Sequence, residues 1–288
     1  MHDGELIKKL RVSRKLTQSQ LAEGICSKTS LVGIENRTIK KISFLTLMAF
    51  LDRLNITLTE YESLRNQVEE PRKTRKTRNL LNKVQEDDFD PYKEIADNRK
   101  QFKRTADLYY LVLNIHMYWK SSVKPDIQLE FLGYEIRMIE DYFMKLKEFG
   151  RYELDLLAEF PFIFSDSFIE NNYLKIKKRM RKAMKSGYDQ CLFLFLKNLT
   201  VYYIDKKRYK KARSINEDMY RCLGLKSKTA VIYESLMSDY YRRLIATALG
   251  EPIKKEEFES LFAVIEYTLG KEERDELEEK LLSIQAQR

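Results

Sequence analysis

Apolar residues recur at intervals of three and four along most of the chain, which is the spacing of an amphipathic α-helix. The pattern predicts helices over 101–119, 127–148, 151–160, 168–186, 188–204, 208–223, 227–249, 255–269 and 271–285. The breaks between them hold Pro or Gly, and no stretch alternates apolar and polar residues between turn signals as a β-strand would. We therefore predict an all-α protein whose consecutive helices pack as antiparallel neighbours.

The first 66 residues carry a shorter form of the same pattern. Thr17 is a predicted N-cap, with Gln20 placed to complete a capping box, and Ser27 is the predicted N-cap of the next helix. Small residues between these two helices allow a sharp turn. The apolar positions that we expect to share one core are Leu6, Ile7, Leu10, Leu21, Ala22, Ile25, Leu31, Ile34, Leu45, Leu51, Leu54 and Ile56. Residues 1–66 therefore read as a compact helical domain built around a helix-turn-helix.

The second helix of this motif would expose a polar side. Lys28, Thr29, Ser30 and Gly33 should lie together on it, away from the apolar core. An α-helix fits the major groove of DNA, and its leading residues reach the base edges. Gln18 begins the preceding helix, where it would contact the DNA backbone, and the cations that would flank the groove and neutralise phosphates are Arg14, Lys15, Arg37, Lys40 and Lys41.

The distribution of charge supports a polyanionic partner for the N-terminal part alone. The chain carries a net charge of +9. Residues 1–85 hold 17 Lys and Arg against 9 Asp and Glu, which leaves 36 and 35 of the totals of 53 and 44 for the rest of the chain. Positive charge concentrated in one segment is typical of a nucleic-acid-binding domain.

A change in composition separates this domain from the remainder. The stretch EEPRKTRKTRNLLNKVQEDD (residues 69–88) is basic and then acidic and has few residues that could be buried, which favours a linker or an exposed connecting helix. We predict a DNA-binding domain over 1–66, a basic linker over 67–89 and a second domain over 90–288. The basic linker would serve as a hinge or bind flanking phosphates, and the sequence leaves both readings open.

Several classes of protein do not fit the residue inventory. Three cysteines at wide spacing and two histidines supply neither a disulfide framework nor a metal site, and no Gly-rich phosphate loop or nucleophile motif occurs. We expect no enzymatic activity, no cofactor and no metal. No run of apolar residues is long enough to cross a bilayer and the N-terminus lacks a signal-peptide core, so we expect a cytoplasmic protein with no membrane partner. Cys26, near a helix N-terminus, is a small turn residue or a thiol with a lowered pKa that acts as a redox switch.

The second domain contains two similar segments. FGRYELDLL (149–157) and KKRYKKARSI (206–215) each place Arg-Tyr directly after a turn, 57 residues apart. This similarity indicates stacked helical hairpins of the tetratricopeptide kind, with an irregular helical bundle as the alternative.

Both parts of the chain resemble one family. LTQSQLAEGI and SLVGIEN (residues 16–25 and 30–36) resemble the DNA-binding domain of lambdoid phage repressors and xenobiotic-response-element regulators. Further along, LKEFGRYELDLLAEF, FLFLKNLTVYYIDKKRYKKA and TAVIYESLMSDYYRRLIATALG resemble the Rgg/MutR transcriptional regulators of Gram-positive bacteria. The resemblance covers nearly the whole chain in order.

This resemblance implies a homodimer that reads a palindromic operator and is controlled by a short hydrophobic signalling peptide, as in quorum sensing. It assigns the DNA contacts to Gln18, Ser27, Lys28, Thr29, Ser30 and Asn36. It also implies that the peptide binds a concave face of the repeat domain. Arg151 and Asn198 match the family's polar positions there. Arg can bind a carboxylate with two hydrogen bonds, and an Asn amide can pair with a peptide unit.

Tyr202 and Tyr233 would add apolar walls with polar tips beside Arg151 and Asn198. Gly33 departs from the family, because relatives carry a long polar side chain at that position. Two other functions stay open at this point. One is a helical-repeat adaptor that sequesters a protein partner, and the other is a phage-type repressor whose second domain only dimerises.

Overall fold

The computed structural model describes residues 2–67, 70–84, 86, 88–120, 133–184, 190–223 and 232–286, and within them no residue belongs to a β-strand. The helices are α1 (Asp3–Ser13), α2 (Gln18–Ala22), α3 (Lys28–Glu35), α4 (Phe44–Arg53), α5 (Leu58–Asn66), α6 (Arg72–Lys83), α7 (Pro91–Thr105), α8 (Tyr109–Lys120), α9 (Gly133–Lys145), α10 (Arg151–Glu159), α11 (Asp166–Met184), α12 (Cys191–Asp205), α13 (Tyr209–Leu223), α14 (Ile232–Ala248), α15 (Lys255–Leu269) and α16 (Lys271–Ala286). A short 3-10 helix, Pro161–Ile163, follows α10. The all-α prediction is confirmed.

The helix predicted over 101–119 is wrong. Two helices occupy this region, because α7 ends at Thr105 and Ala106 adopts a left-handed conformation with φ of 53°. Asp107 Oδ1 then accepts a hydrogen bond from the backbone N of Tyr109 at 3.2 Å, which helps to start α8. From α10 onward each predicted helix has its counterpart within a few residues. Parts of the helices predicted over 127–148, 168–186, 188–204 and 227–249 lie outside the described residues.

The chain divides into two compact units, residues 1–105 with 116–127 and residues 106–115 with 128–288. In the first unit, α1 to α5 enclose one core that contains Ile7, Leu21, Leu31, Phe50 and Leu54. The core residues predicted from the sequence lie in it, with one exception. Leu45 is 80% exposed, because α4 faces the core with Phe50, Leu51 and the partly buried Leu47, and position 45 lies on the other side of the helix.

The basic segment after this core is helical. In α6 the residues Leu80 and, just beyond its end, Val84 are buried, while most of the basic residues between positions 72 and 78 are exposed. Lys76 Nζ donates a 3.1 Å hydrogen bond to Asn98 Oδ1, whose residue is fully buried in α7. Of the two forms considered for this segment, the helical one occurs. The domain boundaries at 66 and 90 stay a prediction.

In the second unit α12 lies at the centre of the packing. It forms a hairpin with α13 through a tight turn at Lys206 and Lys207, the latter with φ of 56°. Asn198 of α12 bonds to the end of α10, and Phe193 of α12 packs edge-on against Tyr233 of α14 with ring centroids 6.2 Å apart. α12 therefore has α10 on one side, α14 on another and α13 as its hairpin partner, which is the arrangement of stacked helical hairpins.

Candidate functional site

A capping residue begins each of the helices α2 and α3, and a glycine lies in the turn between them. Thr17 Oγ1 accepts from Gln20 N at 3.2 Å and Thr17 N donates to Gln20 Oε1 at 2.8 Å, so the predicted capping box is present. Gly24 has a φ of 68°, a conformation that glycine adopts without strain, and it carries the chain through the turn. Ser27 Oγ accepts from Ser30 N at 3.0 Å and so starts α3.

The first turn of α3 presents its side chains to solvent. Lys28 and Thr29 are exposed, as the sequence predicted, whereas Ser30, which was also expected to be exposed, is half-buried. The hydroxyl groups of Ser27 and Ser30 lie 2.8 Å apart, so each restrains the other. One cationic side chain and three hydroxyl groups thus share the N-terminal end of a capped helix that packs on the core through Leu31 and Ile34.

A buried polar network joins α1, α2 and α3. Arg11 donates to the Glu35 carboxylate from Nε at 2.6 Å and from Nη2 at 3.0 Å, and its Nη1 donates to the Leu16 carbonyl at 2.7 Å. Gln18 Nε2 donates to Glu35 Oε2 at 2.8 Å. Burial of the carboxylate acts to raise the pKa of Glu35, but the hydrogen bonds from Arg11 and Gln18 outweigh it and leave the pKa below its ordinary value. The network fixes the start of α2 against the end of α3.

The position of Gly33 differs from the sequence prediction. We expected it to be exposed beside Lys28 and Thr29, but it is buried. The chain that follows α3 turns back over this residue, and both Thr38 Oγ1 and Ile39 N donate to the Gly33 carbonyl, at 3.1 Å and 3.0 Å. No local pattern predicts this fold-back, because it depends on contacts between a helix and the loop after it.

The cations and the amide predicted beside the groove have defined positions. Asn36 caps the C-terminus of α3 and is exposed, and Arg37 follows in a left-handed conformation with φ of 66°. Arg37 forms an exposed ion pair with Glu5, which lowers the pKa of that carboxylate mainly through their hydrogen bond. Arg14 Nε donates to the Leu54 carbonyl at 2.5 Å, so this arginine also holds the end of α4.

Cys26 does not have the environment of an activated thiol. Burial raises its pKa, and the hydrogen bond with the backbone of Leu31 does not compensate. Of the two readings of Cys26, the thiol with a lowered pKa does not fit, and the small turn residue does, because Cys26 is partly buried and packs against the core.

The residues predicted to bind a peptide lie on α10, α12 and α14. Asn198 Nδ2 donates to the carbonyls of Ala158 and Glu159, at 2.9 Å and 3.2 Å, so it caps the last turn of α10. Arg151, exposed at the other end of α10, pairs with Asp155 at 3.2 Å. Arg151 therefore lies at the start of α10, whereas Asn198, which belongs to α12, lies at the other end of α10.

The two tyrosines have polar partners as well. Tyr202 donates from its hydroxyl to Asp166 Oδ1 at 2.9 Å, and burial together with that bond raises the pKa of Tyr202 to about 12. The Tyr233 hydroxyl accepts from Lys197 Nζ at 2.7 Å. Tyr233 lies beside α12, whereas Tyr202 points toward the start of α11.

A separate cavity of about 660 Å³ lies between α13 and α14. Asn216 Nδ2 donates to the Ser238 carbonyl at 3.0 Å, but Asn216 Oδ1 and Ser238 Oγ are buried with no hydrogen-bond partner in the described part of the chain. Buried polar atoms are rarely unpaired in native proteins, so these two atoms have hydrogen-bonding capacity that no described residue of the chain uses. The other lining residues are Arg213, Glu217, Tyr220, Arg221, Asp239, Arg242, Ile245, Ala246, Glu251 and Ile253.

Across the residues that the structure describes, no group of His, Cys, Asp and Glu is arranged to hold a metal ion. None of the helices in the same residues combines the length and the apolar character that crossing a bilayer requires.

The comparison with known proteins agrees with the fold. Residues 7–61 match the helix-turn-helix family, so the N-terminal core is a helix-turn-helix domain. No protein of curated function matches the sequence.

Solved structures match over the full length of the chain. A Listeria monocytogenes EGD-e protein named as a putative transcriptional regulator has 18% identity and a TM-score of 0.75, covering 99% of this chain and 98% of its own. PrgX, which has also been solved in complexes with cCF10 and iCF10, has 18% identity and a TM-score of 0.71, covering 99% and 94%. The pheromone receptor Rgg2 of Streptococcus dysgalactiae has 16% identity and a TM-score of 0.60, covering 98% and 99%. The chain thus has the fold of these regulators, a helix-turn-helix domain followed by helical repeats.

Proposed function

We propose that the protein is a sequence-specific DNA-binding transcriptional regulator controlled by a short signalling peptide, and that it has no enzymatic activity. The single observation that carries the DNA-binding proposal is the exposure of Lys28 and Thr29 on the first turn of α3, within a helix-turn-helix domain. Such a turn places side chains at the base edges of the major groove. With DNA as its partner, the protein acts in the cytoplasm.

The buried network supports a role for Gln18 at the DNA backbone. Its side chain is held in place at the start of α2 by the hydrogen bond to Glu35, so its orientation beside the recognition helix is defined. Ser27, Ser30 and Asn36 would position the recognition helix or contact DNA around it, and Arg14 and Arg37 would add positive charge at its edge. This division assigns base reading mainly to Lys28 and Thr29.

A double substitution tests this site. Lys28→Ala with Thr29→Ala should abolish operator binding in an electrophoretic mobility shift experiment while leaving the oligomeric state unchanged. The matched control, Lys210→Ala with Ser214→Ala, removes one cation and one hydroxyl from exposed positions of α13 and should leave affinity unchanged. Unchanged affinity in the first variant would refute the assignment.

We propose that the protein is a dimer that reads two half-sites, as the family resemblance implies. Two helix-turn-helix domains related by a two-fold axis bind sites centred about 34 Å apart, one turn of the double helix, so the operator would be palindromic. A peptide changes transcription only if it binds one conformation of the dimer better than another. A hundredfold preference supplies about 2.7 kcal/mol.

The peptide proposal draws on structural relatives that are described as pheromone receptors or that have been solved with cCF10 and iCF10. Two regions of the repeat unit are candidates to bind it. The first is the region of α10, α12 and α14 that contains Arg151, Asn198, Tyr202 and Tyr233, which the family resemblance favours. The second is the α13–α14 cavity, which is favoured by the unmet hydrogen-bonding capacity of Asn216 and Ser238.

A screen of synthetic hydrophobic peptides by fluorescence polarisation tests the peptide proposal. Saturable binding at micromolar concentrations or below supports a peptide receptor. Capture of a folded protein partner without peptide binding would instead favour the adaptor, and the absence of both, with operator binding intact, would favour a repressor whose repeat unit only dimerises.

A further inference from the structure

The loop after α3 is fixed onto the recognition helix at Gly33. The Gly33 carbonyl accepts two hydrogen bonds, from Thr38 Oγ1 at 3.1 Å and from Ile39 N at 3.0 Å. Arg37, with its left-handed backbone, makes the reversal that brings these two residues back onto the helix. Thr38 and Ile39 therefore lie against α3, and the loop is anchored to it.

The side chain of Ile39 occupies the place that a side chain at position 33 would take. A Cβ added to Gly33 would lie 3.0 Å from both Cγ1 and Cδ1 of Ile39 and 3.1 Å from Thr38 Oγ1. These distances are shorter than normal van der Waals contacts between carbon atoms. Glycine at this position is what allows Ile39 to approach the helix so closely.

Position 33 lies on the side of α3 that bears Thr29. Residues four apart follow one another along the same side of a helix, so Gly33 is one turn beyond Thr29. Ile39 covers Gly33 and is still 37% exposed. An apolar side chain therefore continues the surface that Lys28 and Thr29 begin at the N-terminal end of α3.

We propose that Ile39 reads an A·T base pair by packing against the C5-methyl group of thymine. This proposal rests on the proposed DNA-binding function and names a further determinant of its specificity. Ile39 has no hydrogen-bonding side-chain atom, and the thymine methyl group is the apolar feature that distinguishes base pairs in the major groove. Gly33 contributes because it has no side chain and so leaves room for Ile39. The isoleucine from the loop then supplies the apolar surface at this point of α3.

The experiment uses the full-length protein and begins by selecting its operator from a random duplex library. Each thymine of the selected site is then replaced in turn by deoxyuridine, which removes only the methyl group, and the dissociation constant is measured at fixed salt. We expect one thymine in each half-site to be sensitive, with about a fourfold loss of affinity, the effect of leaving one methyl group unburied.

Two variants test whether the contact with Ile39 causes the sensitivity to deoxyuridine. Ile39→Ala should abolish the sensitivity to deoxyuridine at that thymine while retaining binding to the rest of the operator. Val12→Ala, which shortens another exposed apolar side chain of the same domain, should leave the sensitivity intact. The thermal unfolding midpoint of both variants checks that neither change acts through folding.

The outcomes distinguish the two proposals. Tolerance of deoxyuridine at every position, or a sensitive thymine that stays sensitive in Ile39→Ala, overturns the role of Ile39 and leaves the DNA-binding proposal standing. A library that yields no enriched sequence overturns the DNA-binding proposal and this inference together.

Discussion

The side-chain amide of Gln18 donates a 2.8 Å hydrogen bond to the Glu35 carboxylate. This carboxylate has no exposed side-chain surface and also forms a bidentate ion pair with Arg11. Gln18 begins α2 and Glu35 ends α3, so one contact spans both helices of the helix-turn-helix. Arg11 adds α1 to the same network. The three residues hold the helices in one relative orientation, which a DNA-reading domain needs before it meets its operator.

Removing the carboxylate should destabilise the domain. Glu35→Ala leaves Arg11 buried without its partner, and breaking a buried pair in this way costs about 3–5 kcal/mol. The measurement is amide hydrogen exchange in α1 and α3 of the full chain as urea is added. As a control, Glu62→Ala at an exposed position of α5 should change stability by less than about 0.5 kcal/mol.

Replacing the whole pair gives a sharper result. Arg11→Met with Glu35→Leu removes both charges, and exchange of a buried pair for apolar residues is often neutral or stabilising. We expect this double variant to regain most of the stability lost in Glu35→Ala but to bind operator more weakly than the native protein, because Gln18 loses its acceptor. Stability as low as in Glu35→Ala would contradict this expectation, because it would show that apolar residues cannot replace Arg11 and Glu35.

Acid should weaken the domain through the same carboxylate. The pKa of Glu35 is lower in the folded protein than the unfolded value of about 4.3. The stability that its ionised form contributes is fully present above that unfolded pKa and is lost as the pH falls through the folded pKa. The difference in unfolding free energy between the native protein and Glu35→Gln should therefore be smaller at pH 3 than at pH 7. An equal difference at both pH values would contradict the assignment.

Glu5 should limit the contribution of Arg37 to DNA binding, because the two residues form an exposed ion pair. Glu5→Gln frees the guanidinium group, while the glutamine oxygen can still accept the capping hydrogen bond from His2 N, which is 3.1 Å long in the native protein. We expect the plot of log affinity against log salt concentration to steepen by up to about 0.9, the value for one more phosphate contact. Adding Arg37→Ala should remove that increment; if it persists, another cation is responsible.

The two candidate peptide regions can be told apart by matched amide removals. If the peptide binds the face formed by α10, α12 and α14, Asn198→Ala should weaken its binding and Asn216→Ala should not. The opposite result places the peptide in the α13–α14 cavity. Fluorescence polarisation of a labelled peptide gives the affinities, and equal, unchanged affinity in both variants would exclude both regions.

The sequence predicted those parts of the fold and site that depend on local chemistry. Thr17 and Ser27 cap their helices because a hydroxyl side chain can reach backbone N–H groups two or three residues later, a relation visible in the sequence. The apolar spacing likewise placed Leu21 and Leu31 in the core.

The features that the sequence did not reveal depend on contacts between distant segments or on unusual backbone angles. The left-handed Ala106 between α7 and α8 is not a residue that favours this conformation, so no turn signal marks it. Gly33 is buried by a loop whose path depends on its own two hydrogen bonds to the helix. The partners of Asn198 lie 39 and 40 residues away, beyond the reach of any local pattern.

Asn198 has a further consequence because it already serves as the cap of α10. A ligand whose carbonyl group took over the Asn198 amide would leave the Ala158 and Glu159 carbonyls without their donor, so occupancy would be coupled to fraying of that terminal turn. The segment that would loosen leads directly into the 3-10 helix Pro161–Ile163 and on to α11. The Asn198 amide would then either bind a ligand or hold the end of α10 in place, but not both. Ligand binding would be transmitted as a local loss of order at the end of α10, without the movement of a hinge.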